Sequence, residues 1–149
     1  MRLQGAVFDV PDTLLDREGR PLTGLMPFLS LLRMEGVLLY LVSEEERRAL
    51  QPKLEAAGLA AYFRGVLYTG EQGRGIEDPE LYEKCVRRLG TARPATLVFT
   101  AREKVLRCVR EAGFQVVLVG KEHPEELRAL ADEVVDSYED MTCLLYTSD

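Results

Sequence analysis

The chain has no tryptophan, one histidine and only three cysteines in 149 residues. Three cysteines without a CxxC pair give neither a disulfide framework nor a cysteine-rich metal site. A reducing compartment, the cytoplasm, is the expected setting. The single histidine, His123, precedes Pro124 with no Cys, His or carboxylate at ligand spacing, so a helix-entry role is expected of it rather than a metal or base role. No apolar run approaches the ~18 residues of a membrane span, and the first apolar segment reaches Asp9 too early for a signal peptide. No block of five Lys or Arg occurs, and the net charge is −6. Neither nucleic acid nor an anionic membrane is therefore an expected partner. Both common phosphate-loop patterns are missing, and the one glycine-rich polar stretch, 70–77, reads as a surface connection. Repeats, low-complexity segments and long linkers are missing as well. One domain over residues 1–142 is expected.

What is present is an alternation. Apolar strand-like runs stand at Ala6–Val10, Val37–Val42, Gly65–Tyr68, Thr96–Thr100, Gln115–Val119 and Glu133–Asp136. Between them, apolar residues recur at helical spacing: Leu25, Phe28, Leu29 and Leu32, then Leu50, Leu54 and Ala57. Leu81, Cys85 and Leu89 form a third stripe; Val105, Val109 and Ala112 form a fourth; Leu127 and Leu130 suggest a short last helix. Ser43 with Glu46, and Thr100 with Glu103, fit the capping box, and Asp78-Pro79 fits an N-cap with proline at the first helical position. Gly36, Gly58, Gly90 and Gly113 each follow a stripe, where a left-handed residue ends a helix. The pattern predicts an α/β fold: a doubly wound, mostly parallel sheet in three α/β/α layers. The stretch 7–16, VFDVPDTLLD, sets Asp9 just past the first strand, where open α/β sheets place their chemistry.

These segments resemble the haloacid dehalogenase-like (HAD) hydrolase superfamily, in particular its small phosphatases. FDVPDTLLD is similar to the family's FDxDGTLxD, and VLLYLVS to its second motif, a strand ending in Ser or Thr. TGEQGRGIEDPELY resembles SGEVGxRKPDPEIF; LVFTAREKVLRCVREAGFQVVLV resembles VGDSxxDxxAAxxAGMxxVxV; ADEVVDSYEDM resembles ADxVIDSLxEL. The resemblance implies a Rossmann-like HAD core with Asp9 at the nucleophile's place. It also implies that Thr13 and Ser43 match phosphate-contacting positions.

The same comparison implies losses. The general acid/base position is Pro11, the family's Gly is Asp12, the third-motif Lys is Ile76, and the fourth-motif acids fall on Ala101 and Val105. In the family an aspartate attacks a phosphate dianion, and Mg²⁺ and the Lys offset the repulsion. Mg²⁺ takes octahedral oxygen coordination through one or two carboxylates, and here Asp9 alone remains as a possible ligand. Each lost cation is worth about 4 kcal/mol at 4 Å and an effective dielectric of about 20. Two such losses cost on the order of several powers of ten in rate. The expectation is a degenerate active site with no cofactor, Mg²⁺ entering only with residual activity. A dehalogenase reading also needs the missing Lys and falls with it. A receiver-like phosphoacceptor lacks its Lys too.

Two alternatives stand beside this. Arg74 or Asp12 could substitute for the lost groups, giving a weak phosphohydrolase with Asp9 as nucleophile, Ser43 as phosphate donor and Arg74 as cation. Asp9 could equally persist as a strand-end residue that caps backbone N–H groups. Cys85 and Cys108 read as packing residues, and the acidic and basic run 44–48 as a solvated helix face. Only about ten residues part Leu15 from the first helix, too few for a cap domain. A capless member acts on large substrates or works with a partner, so a protein partner or a phosphorylated ligand is expected. The tail 143–149, CLLYTSD, resembles a translated sequencing adapter and is expected not to belong to the fold.

Overall fold

A computed structural model describes residues 2–141, so the tail 143–149 lies outside the described residues. Six strands form one parallel sheet: β1 (Gly5–Phe8), β2 (Leu38–Ser43), β3 (Gly65–Tyr68), β4 (Thr96–Thr100), β5 (Gln115–Val119) and β6 (Glu133–Val135). Their order is β3-β2-β1-β4-β5-β6. The order reverses between β1 and β4, where Phe8 pairs with Leu41 on one side and with Phe99 on the other. The helices are α1 (Leu25–Met34), α2 (Arg47–Ala56), α3 (Thr69–Gln72), α4 (Pro79–Leu89), α5 (Glu103–Glu111) and α6 (Glu125–Arg128).

Strand alternation sorts the core into two faces. Ala6, Phe8, Val117 and Val119 point to one side, against Phe28, Leu29 and Leu32 of α1 and Leu50 and Leu54 of α2. Val7, Val116 and Leu118 point to the other, against Leu81, Tyr82 and Cys85 of α4 and Val105, Leu106 and Val109 of α5. Three layers follow, as the alternation predicts.

Punctuation agrees with the sequence at most points. Asp78 accepts a hydrogen bond from the Glu80 amide and Pro79 opens α4. Gly36, Gly58, Gly90 and Gly113 all have positive φ. The two capping boxes do not form. The N-caps are Glu46 and Arg102, neither with a side-chain cap, because both helices start beyond the strand-end hydroxyls. Ser43 Oγ instead donates to the Glu45 carbonyl at 3.1 Å. β1 also ends at Phe8 rather than Val10, because the Val10 carbonyl accepts from the amides of Thr13, Leu14 and Leu15 and closes a turn. The stretch 70–77 is not all surface: it begins within α3, and Ile76 is buried.

No inserted domain stands between β1 and α1. Residues 9–24 hold turns and two isolated bridges, Pro11 to Leu15 and Leu15 to Pro21. The turn Tyr138–Asp140 folds back onto α1, where Gly24 has φ 80° and a Cβ there would meet the Glu139 amide nitrogen at 2.6 Å. Among the described residues, no helix is long and apolar enough to cross a membrane.

Candidate functional site at the strand switch point

The C-terminal ends of β1, β2 and β4 meet where the strand order reverses, the place at which open α/β sheets bind ligands. Asp9, Ser43 and Thr100 stand at these ends, all buried. Asp9 Oδ2 accepts from Thr100 Oγ1 at 2.7 Å and from Arg102 Nε at 3.4 Å. Thr100 Oγ1 also accepts the Arg102 amide at 3.0 Å. Arg102 Nη1 continues to Glu44 Oε1 at 2.5 Å, so the guanidinium bridges β1 and β2 across the crevice. The Asp9 side chain is 0% exposed beneath it. Asp9 Oδ1 and Arg102 Nη2 are buried without a hydrogen-bond partner.

The first turn is held in place from two sides. Thr13 Oγ1 accepts the Ala101 amide at 2.8 Å and donates to the Pro11 carbonyl at 3.3 Å. Tyr138 donates to the Thr13 carbonyl at 2.6 Å. Thr13 thus pins the loop to the end of β4. Asp12, at the family's Gly position, keeps a left-handed backbone with φ 55°, a conformation that Asp tolerates better than most residues. Its side chain is exposed and lines a separate cavity of about 590 Å³ with Lys121, Asp136 and Ser137.

Burial raises the proton affinity of Asp9, and the hydroxyls of Thr100 and Thr13 and the Arg102 charge only partly offset it. The bond from Arg102 holds the Glu44 carboxyl below the usual range. Burial works against the Arg102 charge, and Glu44 and Asp9 more than compensate.

The remaining sequence candidates fall elsewhere. Arg74 Nη1 bonds Asp78 Oδ2 at 2.9 Å, not a group of the Asp9 cluster. Ile76, at the Lys position, is buried with Val105, at the second fourth-motif acid, in one apolar cluster. The Ile76 carbonyl accepts from Tyr82, whose hydroxyl burial keeps protonated. Pro11 is exposed and Ala101 half-buried. Burial pushes the Cys85 thiol up to about 12 and that of Cys108 up to about 11, the behaviour of packing residues rather than nucleophiles. His123 Nε2 bonds the Val119 carbonyl at 2.8 Å.

These residues do not make a magnesium site. One carboxylate is available, a guanidinium occupies its Oδ2, and the fourth-motif positions carry methyl groups. Among the described residues, no group of three or more His, Cys, Asp or Glu side chains could hold a metal ion.

Sequence reasoning missed Arg102 and Glu44. Arg102 is 93 residues from Asp9, so no local spacing joins them. The available signal was a charged residue two positions past β4, beside Ala101.

The order of the strands, with polar side chains gathered at their carboxyl ends, defines an open α/β protein of the kind that binds or transforms small ligands at a switch point. The haloacid dehalogenase-like hydrolase family matches residues 4–100, and the chain belongs to that family. It is 35% identical over 107 residues to a phosphoserine phosphatase of Thermus thermophilus, covering 70% of this chain and 43% of the relative. The chain therefore spans less than half the length of that curated relative. Among solved structures, it is similar to the L-2-haloacid dehalogenase of Xanthobacter autotrophicus with chloropropionic acid covalently bound (TM-score 0.83, 14% identity, 99% of this chain and 100% of that one). It is also similar to a magnesium-bound protein of Bacillus subtilis (TM-score 0.86, 12% identity, 98% and 100%). At such identities the likeness concerns the fold.

Proposed function

We propose that this HAD-family chain has lost magnesium-dependent phosphoryl transfer and serves by binding, its crevice or the surface around it engaging a protein partner or a phosphorylated ligand. One observation carries the reading: Arg102 closes over Asp9 and is itself held by Glu44. A phosphorus nucleophile needs a reachable carboxylate oxygen, a neutralising cation and a proton donor for the leaving group. Here the carboxylate is enclosed and the donor's position is proline. Glu44 already pairs with both Arg102 and Lys104, so an incoming dianion finds neither cation free. Thr13 and Ser43 keep positions at the crevice but spend their hydroxyl protons on backbone carbonyls. The acidic net charge of −6 supports a partner other than nucleic acid or membrane, and the low cysteine count supports the cytoplasm.

A second reading has its own support. Asp9 Oδ1 accepts no hydrogen bond, and the Thermus thermophilus relative is a phosphoserine phosphatase. If Arg102 swung aside, that oxygen would be the nucleophile of a weak phosphohydrolase, with Asp9 also the one protein ligand for Mg²⁺. Hydrolysis of a generic aryl phosphate with Mg²⁺, compared between wild type and Asp9→Asn, separates the two. We expect no turnover above background from either protein. Turnover that Asp9→Asn abolishes would establish the second reading.

A further inference from the structure

Glu44 lies just past the segment VLLYLVS, and it holds Arg102, the half-buried cation over Asp9. It follows Ser43 at the end of β2, and its side chain is 42% exposed. Arg102 Nη1 reaches Oε1 at 2.5 Å, and Lys104 Nζ stands 3.8 Å from Oε2. Two cations at the start of α5 therefore converge on one carboxylate at the crevice mouth. Behind it, Arg102 Nη2 is buried with no partner, a donor left over from a fork that binds oxyanions through paired N–H groups.

We propose that Glu44 is the internal occupant of an oxyanion site formed by Arg102 and Lys104, and that a phosphoryl-type oxyanion competes with it there without a metal ion. The inference rests on the metal-free reading above and adds to it a built-in competitor. A tethered carboxylate has a high effective concentration, so a free carboxylate does not displace it. A phosphoryl group offers three acceptor oxygens and up to two charges, enough to engage Nη2 as well as Nη1 and Lys104. Glu44 can leave for water at little cost because it is already half solvated. Asp9 already takes Arg102 Nε, and Glu44 in place keeps wild-type affinity low.

The test is calorimetric titration of orthophosphate into the full chain in the presence of EDTA. Wild type, Glu44→Gln, Arg102→Gln and Lys104→Gln are compared, with folding checked by circular dichroism. Glu44→Gln is expected to bind about tenfold more tightly than wild type, the scale of one charge-assisted hydrogen bond. Adding Arg102→Gln to it removes binding, adding Lys104→Gln weakens it severalfold, and Mg²⁺ changes none of these. Lys104 is exposed, so its variant remains informative if loss of Arg102 unfolds the chain. Equal affinity in wild type and Glu44→Gln, no binding by Glu44→Gln at millimolar phosphate, or binding that requires Mg²⁺ would overturn the inference. Aryl phosphate turnover would defeat the binding reading itself. Absent turnover together with absent phosphate binding would defeat only this site.

Discussion

Burial raises the Asp9 carboxyl above its ordinary value of 3.8, against the pull of Thr100, Thr13 and Arg102. The folded chain therefore keeps this proton to higher pH than the unfolded chain does. The group's contribution to stability is fully present below 3.8 and is lost as pH rises through the folded value. Asp9→Asn removes the titration and retains an acceptor for Thr100. The melting temperature of Asp9→Asn minus that of wild type should rise with pH across the window above 3.8 and then level. A difference that stays flat or falls, followed by thermal unfolding from pH 3 to 8, would contradict the assignment. At this scale the sequence was informative where a residue type forbids a role: Pro11 cannot donate a proton, and Ile76 and Val105 cannot carry charge. It was silent on Arg102, because an arginine at a helix entry has no periodic signature and its reach of several ångströms is set only by the tertiary fold. The charge run predicts a solvated helix face for Glu44, and the chain instead turns it across the crevice to Arg102.

At the scale of elements, the turn Tyr138–Asp140 locks the crevice loop from below. Tyr138 stacks on Phe28 with centroids 5.5 Å apart and also flanks Phe8 and Phe99, while its hydroxyl holds the Thr13 carbonyl. Tyr138→Phe should cost about 1–2 kcal/mol for the buried carbonyl left unpaired. Tyr138→Ala should cost about 3–5 kcal/mol, because it also opens a cavity in the aromatic cluster. Urea unfolding measures both, and equal losses would show that packing alone matters there. The strands and long helices were legible because parallel strands buried on both faces make continuous apolar runs, and α4 and α5 keep a clean 3.6 period. The helix entries were less so. Ser43 and Thr100 have the right spacing for capping boxes, but each ends a strand, and the helices begin three or four residues later. Thr100 instead spends its hydroxyl proton on Asp9.

The whole molecule joins a family sheet to a crevice in which Arg102 links Asp9 to Glu44. Ile76 and Val105, which the motif resemblance sets at a lysine and a carboxylate position, lie within one buried cluster. Replacing both members of a buried ion pair by apolar groups costs far less than removing one. Arg102, between Asp9 and Glu44, supplies the positive charge next to Asp9. The topology that creates this crevice was readable from the alternation of strands and helices. The Asp9–Arg102–Glu44 contact was not readable, since it joins residues just past the ends of β1 and β2 to the start of α5. Calorimetric titration of Mg²⁺ into the full wild-type chain should show no saturable binding at millimolar Mg²⁺, because Arg102 already occupies Asp9 Oδ2; saturable binding that Asp9→Asn abolishes would mean that the crevice still holds magnesium.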